Sequence, residues 1–121
     1  MSTTADPGLP YADGDFYAFE QLLSAKEQDR LAEIREFLAR EVRPIAVDCW
    51  NRGEFPMDLI PKLADVDLVS PVRRQGHSNP FAGIVHAEVT RADASIATFM
   101  GVHDGLFTGS IEALASQEQK D

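Results

Sequence analysis

An all-α fold, a helical bundle, is what the sequence predicts, and three features carry the expectation. Apolar residues recur at helical spacing through Leu31, Ile34, Leu38, Val42 and Ile45. Helix-start signals stand at Ser24, Asp58, Asp93 and Ser116, and no run alternates apolar with polar residues as a half-buried strand would. The 121 residues suit one domain with a genuine core and leave no room for a second.

Residues 1–20 contain Pro7, Gly8, Pro10 and Gly14 among aspartates, a composition that favours a flexible N-terminal arm, with the helical domain over 21–121. Phe16, Tyr17 and Phe19 are expected to pin the end of that arm to the body. Ser24-Ala-Lys-Glu27 has the form of a capping box, in which each side chain satisfies the other residue's free backbone N–H. A helix is therefore predicted over 25–43, with Glu36 and Arg40 paired on its polar face. Pro44 lacks an N–H and crowds the preceding turn, so it is expected to kink or end that helix. A second short helix should cover Ile45 to Arg52 and close on Gly53.

Phe55-Pro56 breaks the chain, and Asp58 can cap a third helix whose first turn tolerates Pro61. Leu59, Ile60, Leu63 and Val66 are its core face. The run from Ser70 to Pro80 reads as a loop whose arginines, Arg73 and Arg74, are solvated. A helix follows over 81–91, and Asp93 caps another from Ala94 to about Ala115. Ser116-Gln-Glu-Gln119 repeats the capping-box form two residues before the last, announcing a helix that is expected to be truncated.

Eleven basic against twenty acidic residues give a net charge of −9, which lacks the phosphate-neutralising footprint of a nucleic-acid binder and speaks against anionic membranes. No run of eighteen apolar residues could span a bilayer, and residues 1–20 lack the pattern of a secretion signal. Cys49, the single cysteine, cannot form an internal disulfide, so a reducing, cytoplasmic setting is the default. The histidines lack metal-ligand spacing: His86 and Glu88 fall on different helix faces, and His77 sits in a loop without partners.

Three segments, taken in order, resemble the acyl-CoA dehydrogenase family. They are Val42-Arg-Pro-Ile-Ala46 leading into Arg52-Gly-Glu-Phe-Pro56, then Arg91-Ala-Asp-Ala-Ser95, then Gly101-Val-His-Asp104 with the closing Ser116-Gln-Glu-Gln-Lys120. Together they span residues 24–120, and their order and spacing carry the resemblance more than any one of them does. It implies the N-terminal helical domain of a three-domain, FAD-dependent enzyme that desaturates the Cα–Cβ bond of an acyl-CoA thioester. It also implies an electron-transfer flavoprotein as partner, a homo-oligomer as the parent state, and a catalytic glutamate and flavin site in the other domains.

That reaction needs a positioned base, a polarised thioester carbonyl and a flavin beside the Cα–Cβ bond, and none of these is assignable to this chain. No catalytic, cofactor-binding or metal residue is therefore expected here, and the chain alone should be inactive and carry no FAD. Glu88 and Asp93 are expected to be helix-end and interhelix partners and not bases. What the resemblance implies for this domain is one wall of the acyl-chain pocket, from the helix that places Phe99, Val102 and Leu106 at i, i+3 and i+7. His103 belongs to the same set as a candidate at the pocket mouth. The same side chains also read as ordinary bundle core, and the two roles are compatible.

Gly101, Gly105 and Gly109 fall four apart on this helix, and each interior glycine costs about 1 kcal/mol relative to alanine, so a close helix-on-helix approach is expected there. Asp104 and His103 argue against a transmembrane dimer motif at the same place. Ala97 occupies the position where the glutaryl-CoA branch of the family carries a carboxylate-gripping arginine, which speaks against a dicarboxylyl substrate held that way. The loop from Arg73 to Pro80 departs from the family's Tyr-Gly-Gly-like turn and leaves the subfamily open. An acyl-CoA oxidase of the same fold and a free-standing helical interaction module are the alternatives. Surfaces meant for absent domains should stay exposed and favour self-association.

Overall fold

The computed structural model describes residues 15, 17–68 and 76–120, and over these the chain is all-α with no strand. Residues 1–14, 16, 69–75 and 121 lie outside the described residues, and with them most of the predicted arm and the part of the predicted loop that carries Arg73 and Arg74.

Helix α1 (Ala25–Phe37) begins on the capping box: Ser24 Oγ accepts from the Glu27 N–H at 3.3 Å, and Glu27 Oε2 accepts from the Ser24 N–H at 2.9 Å. The chain does not stop at Pro44. A π-helical segment (Leu38–Val42) follows α1 directly and passes into α2 (Arg43–Arg52). In that wider turn the Arg43 N–H donates to the carbonyl of Leu38, five residues back. Pro44 then falls in the first turn of α2, where its missing N–H leaves nothing unsatisfied. One widened turn thus replaces the break that proline chemistry predicts. Gly53 closes α2 at φ 63°, a left-handed conformation that glycine adopts without a Cβ clash.

Asp58 caps nothing. It lies inside a 3-10 turn (Met57–Leu59), where the Leu59 N–H already finds the Pro56 carbonyl at 2.9 Å, and α3 (Ile60–Asp65) grows from that turn with no side-chain cap. Helix α4 (Asn79–Ala92) starts two residues ahead of the predicted position because Ser78 Oγ accepts from the Phe81 N–H. Asp93 caps α5 (Ala94–Gly101) as its position predicts, through Oδ1 and the Ile96 N–H at 2.9 Å. A second π segment (Val102–Thr108) carries the helix on into α6 (Gly109–Leu114), so the predicted long helix is present but rewound in its middle. A short α7 (Gln117–Lys120) follows, with Gln119 Oε1 accepting from the Ser116 N–H at 3.0 Å.

The core gathers Leu31, Ile34, Phe37, Leu38 and Val42 from the first helical rod, Leu59 and Leu63 from around α3, and Phe81, Val85 and Val89 from α4. Ile96, Ala97 and Met100 of α5 close it. Phe81, Val42 and Val89 are completely buried at 0% exposure, and two of the three belong to α4, which makes that helix the pivot of the packing.

The end of the arm is held by polar groups instead of rings. The Asp15 carboxylate accepts from the Phe19 and Glu20 N–H groups at 2.8 and 3.0 Å, starting a 3-10 turn (Phe19–Leu22), and Glu20 pairs with Arg35 of α1. Tyr17 and Phe19 contact each other at 5.7 Å while remaining largely in solvent. The glycines also depart from expectation. A Cβ on Gly101 would sit 3.5 Å from the His86 ring, an ordinary side-chain contact, and one on Gly105 would meet nothing within 4 Å. No helix backbone approaches either of them.

Candidate functional site

The residues with an expected substrate role lie along α5 and the π segment that continues it. Phe99 is half-buried against the core, His103 is exposed, and Val102 and Leu106 are 48% and 66% exposed. The i, i+3, i+7 stripe assumes an α turn of 3.6 residues, whereas the π turns from Val102 onward close on the fifth residue. Residues four apart are thereby drawn toward one azimuth. The result is a file of rings: Phe99 and His103 stack at 5.9 Å and 15°, and His103 and Phe107 at 6.1 Å and 27°. Phe55, from the turn after α2, extends the file inward, 5.2 Å from Phe99.

Phe107 is 62% exposed and sits at the outer end of the file. It and Phe55 are the members that periodicity overlooks. A signal for Phe107 is present in the chain, since Phe99, His103 and Phe107 are ring residues spaced by four, the spacing of neighbours on one helix face.

The acids near the apolar helices are engaged. Glu88, 4% exposed, accepts from Arg35 at 2.8 Å and from Arg91 at 3.0 Å, and Arg35 also grips Glu20. Burial alone would lower the Arg35 pKa, but the hydrogen bonds and charges of Glu20 and Glu88 outweigh it and hold the guanidinium above its ordinary value. Asp93 divides its carboxylate between capping α5 and accepting from Trp50 Nε1 at 3.1 Å. Both carboxylates are thus committed to hydrogen bonds within the protein.

The profile of the family described as "Acyl-CoA dehydrogenase, N-terminal domain" matches residues 24–121. The chain belongs to this family. No curated protein matches it. The match begins at Ser24, the residue that opens the capping box, and takes in the whole helical core.

In this acyl-CoA dehydrogenase N-terminal domain a carboxylate outside the ring file ties two helix starts together. Glu27 serves the α1 cap with one oxygen, and with the other it accepts from the Ser78 N–H at 2.7 Å, directly at the start of α4. His77 is not a loop residue without partners: it is buried, its Nδ1 lies 3.8 Å from Glu27, and its ring packs on Phe81 at 4.3 Å. The hydrogen bonds from Ser78 and Ser24 bring the Glu27 pKa from the ordinary 4.5 down to about 2. A depressed carboxylate pKa contributes stability that is complete above the unfolded value of 4.5 and disappears as the pH falls toward about 2. Melting temperatures measured across that window should therefore fall more steeply for the wild-type domain than for Glu27→Gln. Parallel curves would show that the carboxylate is not the link.

Several grooves flank the core of the acyl-CoA dehydrogenase domain among the described residues. One of ≈ 370 Å³ runs between the 3-10 turn and α4, past Phe19, Ile84 and Arg91, and one of ≈ 280 Å³ lies between α2 and the start of α5, past Cys49, Trp50 and Asp93. The charged groups lining the first of these, Asp15, Glu20, Glu88 and Arg91, are all engaged within the protein. Among the described residues no three of His, Cys, Asp and Glu are placed to share a metal ion, and no helix is long and apolar enough to cross a membrane.

Proposed function

We propose that this domain supplies one wall of the acyl-chain pocket in a flavin-dependent acyl-CoA dehydrogenase. The observation that carries the reading is the apolar face presented by Val102, Leu106 and Phe107 beside the ring file, in a chain that belongs to this family. In such an enzyme FAD supplies a hydride acceptor when bound, while a carboxylate base from elsewhere takes the α-proton. The residues of this chain exclude water and hold the acyl chain at a defined height against the helix. Residues 21–121 form the wall-bearing domain and 1–20 its arm, and the parent acts as a homo-oligomer in a cytoplasmic setting, passing electrons to an electron-transfer flavoprotein.

The 121-residue protein is expected to be colourless and inactive by itself, yet to show acyl-CoA-dependent shifts of the Val102 and Leu106 methyl signals in NMR titration. Binding that leaves those methyls unmoved would remove the reading. An acyl-CoA oxidase would use the same wall, and assays of the parent with oxygen and with an electron-transfer flavoprotein separate the two. The interaction-module reading is favoured by apolar side chains exposed on another face, Val47, Trp50 and Met57, each at least 66% in solvent. It requires that acyl-CoA shift nothing.

A further inference from the structure

The ring file of Phe55, Phe99, His103 and Phe107 has a chemistry of its own. Its inner members rest half-buried on the core, which fixes their planes, and its outer members are exposed with successive planes 15° and 27° apart. Stacked rings with a free outer face gain most from another flat π surface, because dispersion and quadrupole complementarity then act over a whole face. A saturated chain touches such a face only along a line. It is served better by a concave slot that surrounds it, whereas this file stands on the convex side of a helix.

We infer that the acyl group accepted at this wall carries a flat, conjugated ring, an aryl group, beyond the reacting Cα–Cβ bond. The inference rests on the acyl-wall reading and names its substrate class. Within it Phe107 is the specificity-determining residue: it ends the file and is 62% exposed, while Val102 and Leu106 beside it serve any apolar group.

The test uses the full 121-residue protein in NMR titrations with two N-acetylcysteamine thioesters of similar apolar area, that of 3-phenylpropanoic acid and that of heptanoic acid. The aryl thioester should bind roughly three- to tenfold more tightly, the gain expected for one added aromatic pair, and should move the ring-proton signals of His103 and Phe107. Phe107→Leu keeps apolar area and removes the ring, so it should bring the two thioesters to parity. Equal affinities for the wild type, or a preference that survives Phe107→Leu, overturn the inference while methyl shifts at Val102 and Leu106 leave the acyl wall standing. Binding of neither thioester, or ligand-free self-association through the file, overturns both.

Discussion

Phe81→Ala should be the most damaging single substitution in this domain, costing about 3–5 kcal/mol of unfolding free energy. The side chain is 0% exposed, packs on the His77 ring and stands in the first turn of α4, where its own N–H is held by the Ser78 cap. Truncation leaves a cavity where α4 meets the rest of the core, and there is no loose neighbour to fill it. Against a typical total of about 5–15 kcal/mol, such a loss lowers the melting temperature by on the order of 15 °C. Thermal and urea unfolding followed by circular dichroism measure it. A cost below about 1 kcal/mol, small for a buried phenylalanine, would mean that α4 is not the pivot of the core.

Glu88→Ala is expected to have the next largest effect, and for an electrostatic reason. The carboxylate is 4% exposed and is shared by Arg35 and Arg91, so its removal leaves two guanidinium groups facing each other without their common anion. Losing one partner of a fully buried pair costs about 3–5 kcal/mol. Here the arginine side chains are 38% and 35% exposed, so solvent takes up part of the charge and about 2–3 kcal/mol is expected. Replacing Arg35 by Met in the same protein should recover a measurable part of that loss, since it removes one of the two facing cations, while the Glu20 partner it gives up is 37% exposed and solvated. If the single variant is as stable as the wild type, the cluster is ornamental and Glu20 alone holds Arg35.

Much of the fold was legible because its signals are local. Ser24 with Glu27, Gly53 and Asp93 act within one helical turn, and the stripe from Leu31 to Val42 states which face goes inward. Asp58 shows the limit of that reasoning. A good capping residue stays unused when the preceding backbone, here the Pro56 carbonyl, has already satisfied the amide in question. Ser78 is the converse, a working cap inside a segment whose composition reads as loop.

The candidate site was legible in part. Phe99, Val102, His103 and Leu106 were named from helical spacing and resemblance, but how they sit relative to one another depends on the π segment. No cap, proline or periodicity marks where that segment begins. Phe55 reaches the file from a turn far away in sequence, and Glu27 meets Ser78 across 51 positions, so neither relation has a periodicity to betray it.

Local backbone chemistry, written residue by residue, therefore decided where most helices start and stop, which stripe is buried and that no strand forms among the described residues. Tertiary assembly alone decided the partners of Glu27, Glu88 and His77 and brought Phe55 to the ring file. The division follows from range: a cap or an amphipathic face is settled within a few residues, whereas a carboxylate's partners are settled by whatever packs against it.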